Sequence, residues 1–216
     1  MSASAAFPHD DLVQAAITAV IDAGRAASKR GWTPATSGNF SVRVDRNRIA
    51  ITRSGVDKGA LTVSDVLIQP LDAPLLAGSS AEAALHVRRY RDGAEIGAIF
   101  HTHGLASTVI GRAHLAYGAV TLEGWELQKA LVGVKTHEVA IETPVFANDQ
   151  DVAALAERVA RRFAAPPPDR LARAPGYLLA GHGLYAWGRN AAEAARHLEA
   201  LETLFQQTLA LRSYRP

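Results

Sequence analysis

A short apolar run that ends in two histidines constrains this chain more than any other stretch. Residues 96–100 read IGAIF, and His101, Thr102 and His103 follow before a glycine. The length and β-branched content of the run predict a buried strand. Because side chains alternate along a strand, both imidazoles emerge on one face, at a spacing that suits zinc or another borderline divalent ion. The pair predicts a metal site if a third ligand arrives from elsewhere.

The composition restricts both the residue types that can bind the metal and the kinds of molecule that the chain can bind. The sequence contains no cysteine, so any metal must be held by histidine and carboxylate, and disulfides and thiolate catalysis are excluded. A length of 216 residues predicts one domain. The net charge of +2 does not indicate a nucleic-acid partner, whereas a pI near 9.1 suits an anionic small molecule. Neither an N-terminal leader nor a run of about 18 apolar residues occurs, so we expect a cytoplasmic enzyme without membrane contact.

Periodicity predicts a mixture of helices and strands. Apolar residues at helical spacing predict a first helix that is capped by Asp10 or Asp11 and stopped by Gly31. Further helices are predicted at residues 81–90 and 105–112, from Asn148 or Asp149 through residue 163, and from Asn190 to residue 212. Alternation predicts a hairpin of residues 40–44 and 48–52, with later strands at residues 66–69 and 139–143 and within 177–188.

Three loops rich in glycine and hydroxyl residues stand out between these elements. Turn chemistry alone accounts for such residues in any protein. The alternative is a phosphate nest of backbone N–H groups, hydroxyls and Asn39, with Lys58 or Arg53 supplying charge. The third loop opens a predicted helix, where free N–H groups favour an anion. The residues of the three loops are Ser37, Gly38 and Asn39; Ser54, Gly55 and Lys58; and Gly78, Ser79 and Ser80.

Two glutamates and one further histidine are candidates for chemistry. Glu82 falls in the first turn of a predicted helix, where a carboxylate also stabilises the helix without any catalytic role. Glu126 precedes a short helical stretch and is equally compatible with acid/base work or with a plain surface position. His182 lies between Gly181 and Gly183, so its neighbours cover it little and it is free to point at a ligand.

Taken together, these features resemble the class II aldolase and adducin-type superfamily over nearly the whole chain. The matching segments occur in the expected order, and three of them, SGVDKG, LEGWELQKAL and GHGLYAWG, resemble its dehydratase branch in particular. The full set is GWTPATSGNFSVR, ITRSGVDKGALT, GSSAEAALH, AIFHTHG, LEGWELQKAL, THEVAIETPVFANDQD and GHGLYAWGRNAAEA.

The resemblance implies an α/β fold of three α/β/α layers around a mainly antiparallel central sheet, formed by residues 1–216 as a single domain and assembled as a homotetramer. It implies a Zn²⁺ site at His101, His103 and His182. In the aldolase branch the acid/base residue falls on Glu82, and in the dehydratase branch it falls on Glu126. We favour Glu126 as the base and keep Glu82 as a second, metal-proximal candidate. The phosphate-handling positions that it implies are Ser37, Gly38, Asn39, Ser54, Gly55, Ser79 and Ser80, with Lys58 as a nearby charge.

The implied activity is the zinc-dependent dehydration of 5-methylthioribulose 1-phosphate to 2,3-diketo-5-methylthiopentyl 1-phosphate in methionine salvage. Two alternatives stay open. One is an aldolase or epimerase of the same superfamily, which shares the metal but makes or breaks a carbon–carbon bond. The other is a non-enzymatic, adducin-like interaction module, against which the presence of all three histidines and both glutamates argues.

Overall fold

One mixed sheet of nine strands organises the computed structural model, which describes residues 8–214. The strands are β1 (Asn39–Arg43), β2 (Arg48–Thr52), β3 (Val66–Pro70), β4 (Ala98–Thr102), β5 (Ala119–Leu122), β6 (Ala140–Phe146), β7 (Leu171–Arg173), β8 (Gly176–Leu179) and β9 (Gly183–Gly188). Their order is β3-β2-β1-β4-β9-β8-β6-β5, with β7 beside β6. Only the β6–β7 and β6–β8 pairs are parallel within the described chain, so the sheet is mainly antiparallel, as predicted.

Five α-helices within residues 8–214 cover the two faces of this sheet: α1 (Pro8–Lys29), α2 (Ala83–Asp92), α3 (Leu105–His114), α4 (Val152–Ala164) and α5 (Ala191–Ser213). Helices α1, α3 and α5 contribute to one hydrophobic cluster, and α2 and α4 to the other. Strand β4 shows the alternation directly, because Phe100 packs in the first cluster and Ile99 in the second. The result is the predicted three-layer arrangement.

Strand register brings the later histidine to the first two. Asn39 of β1 lies opposite His101 of β4, and Tyr185 of β9 lies opposite His101 on its other side. The tight connection between β8 and β9 therefore meets the end of β4, and it carries His182. Gly183 is needed there, because a Cβ atom would lie 2.0 Å from the carbonyl oxygen of Thr102.

Most predicted elements are present, but two helix caps were predicted wrongly. Helix α1 begins at Pro8, so Asp10 and Asp11 lie inside it, while Gly31 follows its end with a left-handed φ of 72°. Helix α4 is capped by Asp151, whose carboxylate accepts from the Ala154 N–H at 2.9 Å, and not by Asn148 or Asp149. Asn190 caps α5 as predicted, at 2.9 Å from the Glu193 N–H.

Two strands, β5 and β7, were not predicted from the sequence. Strand β5 lies in a stretch for which the sequence pattern predicts no strand, and β7 has three residues, too few for a clear alternation. The helical stretch at Glu126 is a 3-10 segment, Glu126–Ala130. No helix within residues 8–214 is long and apolar enough to cross a membrane.

Candidate active site

Three imidazole nitrogens converge at the end of β4. The Nε2 atom of His101 lies 3.0 Å from that of His103 and 3.1 Å from that of His182. Zinc–nitrogen bonds of about 2.0–2.1 Å in a tetrahedral site would separate ligand nitrogens by about 3.3–3.4 Å. Both observed distances are close to that value, and all three ligand atoms lie within 4.8 Å of one another, so the three residues fit a zinc-sized ion. Among the side chains of residues 11–214 there is no other convergent group of three metal-ligating residues.

Hydrogen bonds at the opposite ring nitrogens turn the Nε2 atoms toward this point. The Nδ1–H of His101 donates to the Leu184 carbonyl oxygen at 3.1 Å, and the Nδ1–H of His182 donates to the Asn148 amide oxygen at 3.0 Å. In a neutral imidazole, an Nδ1–H that donates leaves the lone pair on Nε2, which is the form that binds a metal. The His101 ring also stacks on Tyr185 with centroids 3.9 Å apart and planes 13° apart.

Burial keeps the imidazoles of His101 and His103 neutral. Desolvation holds the pKa of His101 well below its ordinary range and lowers the pKa of His103 to about 4. A metal competes with protons for the same lone pairs, so depressed pKa values favour metal binding at neutral pH. The electrostatic environment of the cluster is therefore suited to a cation.

Glu82, just before α2, is the carboxylate that the fold places against the histidines. Its Oε1 atom lies 2.9 Å from the Nε2 atom of His182, and its Oε2 atom lies 3.7 Å from that of His101. Burial on its own would raise the pKa of Glu82. Hydrogen bonds from His182 and Asn39 outweigh burial and lower the pKa to about 2, so the side chain is a carboxylate.

A chain of buried side chains orients Asn39 toward that carboxylate. The Asn39 Nδ2–H donates to Glu82 Oε2 at 2.8 Å, while its Oδ1 accepts from the Nε2–H of His86. The other nitrogen of His86 accepts from the Ser41 hydroxyl at 2.7 Å, and the Tyr90 hydroxyl lies 3.0 Å from that oxygen. Burial lowers the pKa of His86 to about 3. The neutral tautomer thus decides which end of the Asn39 amide faces Glu82.

Two of the three predicted phosphate loops carry buried hydroxyls that lack partners. The Oγ atoms of Ser37 and Ser79 are buried and make no hydrogen bond to the side chains of residues 11–214 or to the described backbone. They lie just before Asn39 and Glu82, which are bonded to each other, so both loops border the histidine cluster. Buried hydroxyls without partners are costly, so each would be stabilised by an acceptor such as a bound anion.

The remaining loop residues shape the same region. Gly38 has a φ of 78°, and a Cβ atom there would lie 2.6 Å from the His101 carbonyl oxygen. The Ser54 N–H donates to the Gly78 carbonyl oxygen at 2.9 Å, and Gly55 has a φ of 73°. The Ser80 hydroxyl accepts from the Glu82 N–H at 3.2 Å. The structure thus joins the second and third loops.

Lys58 and Glu126 have surroundings that the sequence did not reveal. The Lys58 ammonium is buried and donates to the carbonyl oxygens of Thr36 and Val56, at 2.6 and 2.8 Å. The Glu126 side chain is 73% exposed and contacts Lys129 at 2.5 Å and His137 at 3.6 Å. Within one chain the structure therefore brings Glu82 to the histidines and leaves Glu126 apart from them. The role of Glu126 as base stays a prediction.

Sequence reasoning missed several residues of the site. Asn148 orients His182, and Tyr185 packs on His101. Ser41 and His86 orient Asn39, which in turn donates to Glu82. Asn148 lies in a segment that carries the family resemblance, where it was read as a helix cap. His86 and Ser41 have no local signal, because their importance comes from contacts between β1 and α2.

The fold and the three-histidine site are those of a known class of proteins. The family model of the class II aldolase and adducin N-terminal domain matches residues 18–209, and the chain belongs to that family. L-fuculose-1-phosphate aldolase from Thermus thermophilus superposes with a TM-score of 0.72 at 29% identity, over 91% of this chain and 95% of that one. YgbL from Escherichia coli, at 21% identity and a TM-score of 0.75, shares the fold over 93% and 90% of the two chains. The predicted family and fold class are confirmed.

Curated relatives identify a narrower group within the family. A protein named methylthioribulose-1-phosphate dehydratase from Bradyrhizobium sp. (strain BTAi1) is 61% identical over 99% of each chain. One of the same name from Parvibaculum lavamentivorans is 46% identical over 94% of this chain and 96% of its own. This chain is therefore similar to the dehydratases along its full length.

Proposed function

We propose that this protein dehydrates 5-methylthioribulose 1-phosphate to 2,3-diketo-5-methylthiopentyl 1-phosphate with a zinc ion at His101, His103 and His182. The observation that carries the proposal is the convergence of three Nε2 atoms beside a buried carboxylate, in a chain 61% identical to a named dehydratase. Three protein ligands leave one coordination position for substrate, as in catalytic zinc sites. The reaction would belong to methionine salvage in the cytoplasm.

The reaction removes a proton from C3 and a hydroxyl from C4. When bound, a zinc ion would polarise the C2 carbonyl and stabilise the negative charge that develops on its oxygen. A carboxylate takes the C3 proton, and the electron pair left at C3 then expels the protonated C4 hydroxyl as water. The resulting enol gains a proton at C4 and becomes the second ketone. Atoms and charge balance with no further reactant.

The phosphate end of the substrate is assigned to the Gly/Ser loops. The unpartnered hydroxyls of Ser37 and Ser79 support this assignment, because each is a buried donor beside the histidine cluster. The backbone at Gly38 and Gly55, Ser54 and Ser80 completes the nest. Arg53 supplies positive charge at the surface, since its guanidinium borders Gly78. Holding the phosphate there would place C2 of the substrate at the metal.

We assign Glu82 and Glu126 to the active sites of different subunits. Glu82 is adjacent to the metal ligands of its own chain. Glu126, the base that the resemblance favours, is exposed and contacts none of those ligands in its own chain. We therefore assign Glu126 to the active site of a second subunit in the expected homotetramer. Its exposure is consistent with such a role, because the carboxylate is accessible to a neighbouring chain.

Product analysis tests the function directly. The pure, zinc-loaded protein is incubated with 5-methylthioribulose 1-phosphate in deuterium oxide, and the products are identified by mass and NMR. We expect an intact five-carbon phosphorylated diketone that carries solvent deuterium at C4. Dihydroxyacetone phosphate and a thioether aldehyde would show C3–C4 cleavage and an aldolase. An unchanged substrate would favour the interaction module.

A further inference from the structure

The loop before β1 holds two consecutive residues in a disfavoured backbone conformation. Ala35 has φ 51° and ψ 45°, and Thr36 has φ 63°, which is the left-handed region for both. Residues with a Cβ atom avoid this region, and a β-branched threonine avoids it most strongly. Such a conformation persists only where the surroundings hold it.

The strained pair immediately precedes polar residues of the site. Ser37 has a buried hydroxyl without a partner, and Asn39 donates to Glu82. The other end of the loop is hydrogen-bonded to the residue that follows β4, since the His103 N–H donates to the Trp32 carbonyl oxygen at 2.8 Å. A shift in the φ angles at Ala35 and Thr36 would therefore move Ser37 and Asn39 away from the histidine cluster.

A buried lysine holds the strained pair from the next loop along the sheet. Lys58 is 1% exposed, and its ammonium donates to the carbonyl oxygens of Thr36 and Val56 at 2.6 and 2.8 Å. A buried charge is tolerated only when hydrogen bonds compensate it, and charge-assisted bonds are stronger than neutral ones. Burial lowers the pKa of Lys58, although the negative charges of Asp57 and Glu82 oppose that shift.

We propose that Lys58 is a positioning residue that holds Ala35 and Thr36 in the left-handed conformation, so that Ser37 and Asn39 face the phosphate and Glu82. This differs from the role that the sequence predicted, in which Lys58 itself carries charge toward the phosphate. Two of its three N–H groups are already committed to carbonyl oxygens. The phosphate part of the proposal rests on the proposed function, whereas the effect on the loop does not.

A double-mutant cycle distinguishes the two roles. Lys58→Met is made in the native chain and in a Thr36→Gly background, because glycine adopts positive φ without strain and no longer needs to be held. Lys29, which is exposed at the end of α1, gives the matched control Lys29→Met. The measurements are affinity for inorganic phosphate by calorimetry, kcat and KM, zinc content, and hydrogen exchange of amides in residues 33–39.

We expect Lys58→Met to weaken inorganic phosphate binding and raise KM by roughly tenfold or more, the cost of a charge-assisted hydrogen bond. Amides of residues 33–39 should exchange faster, zinc should stay bound, and Lys29→Met should behave as the native chain. In the Thr36→Gly background, Lys58→Met should reduce phosphate affinity and raise KM by a factor several-fold smaller than in the native chain. Should Lys58→Met fail to fold, Lys58→Gln replaces it, since its amide can still donate an N–H.

Two results would overturn the positioning role. One is an equal loss of phosphate affinity in both backgrounds, which would make Lys58 a direct phosphate ligand. The other is native exchange in residues 33–39 of the Lys58→Met protein. If the native, zinc-loaded protein bound no inorganic phosphate, the proposed phosphate site would fail. Hydrogen exchange would still decide whether Lys58 holds the loop.

Discussion

The Oε1 atom of Glu82 lies 2.9 Å from the Nε2 atom of His182, although the two residues are far apart in the chain. Glu82 stands before α2, and His182 stands in the turn between β8 and β9. Their contact makes the carboxylate an immediate neighbour of any ion held by the three histidines. It also means that metal binding must replace this contact, because Glu82 accepts from an Nε2–H of His182, whereas a metal ion needs the lone pair of that same nitrogen.

The histidine cluster predicts the metal content. The protein as purified should hold about one zinc ion per chain, since three Nε2 atoms converge at one point. His103→Ala should lose both zinc and activity, because two imidazoles bind zinc much more weakly than three. Elemental analysis measures zinc, and circular dichroism checks that the variant is folded. A full complement of zinc in the folded variant would place the metal elsewhere.

We expect different effects on activity when Glu126 and Glu82 are each replaced by glutamine. Glu126→Gln keeps the size of the side chain but cannot accept the C3 proton, so kcat should fall by about 10²–10⁴, as is typical for loss of a general base. Zinc should remain bound, because Glu126 contacts no histidine ligand in its chain. Glu82→Gln is the matched comparison. A native-like Glu126→Gln together with an inactive, zinc-loaded Glu82→Gln would reverse the assignment.

Mixing experiments test whether Glu126 acts on a second subunit. Glu126→Gln and His103→Ala chains are unfolded, mixed and refolded together with zinc. A mixed oligomer would contain sites with native histidines from one chain and native Glu126 from the other. Activity should then exceed that of either variant refolded alone. If the mixture stays inactive although mixed oligomers form, the shared-site arrangement is wrong.

His86 predicts a dependence of stability on pH. Burial lowers its pKa in the folded protein to about 3, below the ordinary 6.5 that we expect for the unfolded chain. The unfolded chain therefore takes up the proton first as the pH falls. The stability contributed by neutral His86 is fully present above about pH 6.5 and is lost between there and about pH 3.

Between pH 7 and pH 5 this group should remove about 2 kcal/mol from the free energy of unfolding. His86→Gln cannot titrate, so its free energy of unfolding should fall by that much less over the same interval. Denaturant unfolding of metal-free protein at both pH values measures the difference and separates it from zinc binding. Parallel losses in the two proteins would show that His86 does not govern the acid response.

Much of the architecture could be predicted because its signals are local. The hairpin of β1 and β2 follows from alternation on either side of a turn, and Asn190 caps α5 through a contact three residues away. The histidine pair was recognisable because its spacing lies within one short segment at the end of a strand. The cap of α4 was wrong because neighbouring Asn and Asp residues have nearly equal local preferences for the cap, and the cap of α1 was wrong because the helix already begins at Pro8.

The sequence by itself determined the residue types, the His-x-His spacing and the family, since each is a property of contiguous segments. Only the tertiary structure decided that Glu82 meets His182, that His86 orients Asn39, and that Lys58 binds the carbonyl oxygen of Thr36. These contacts join strands, turns and helices far apart in the chain. Their geometry depends on strand register and on how helices pack against the sheet, which local propensity does not specify.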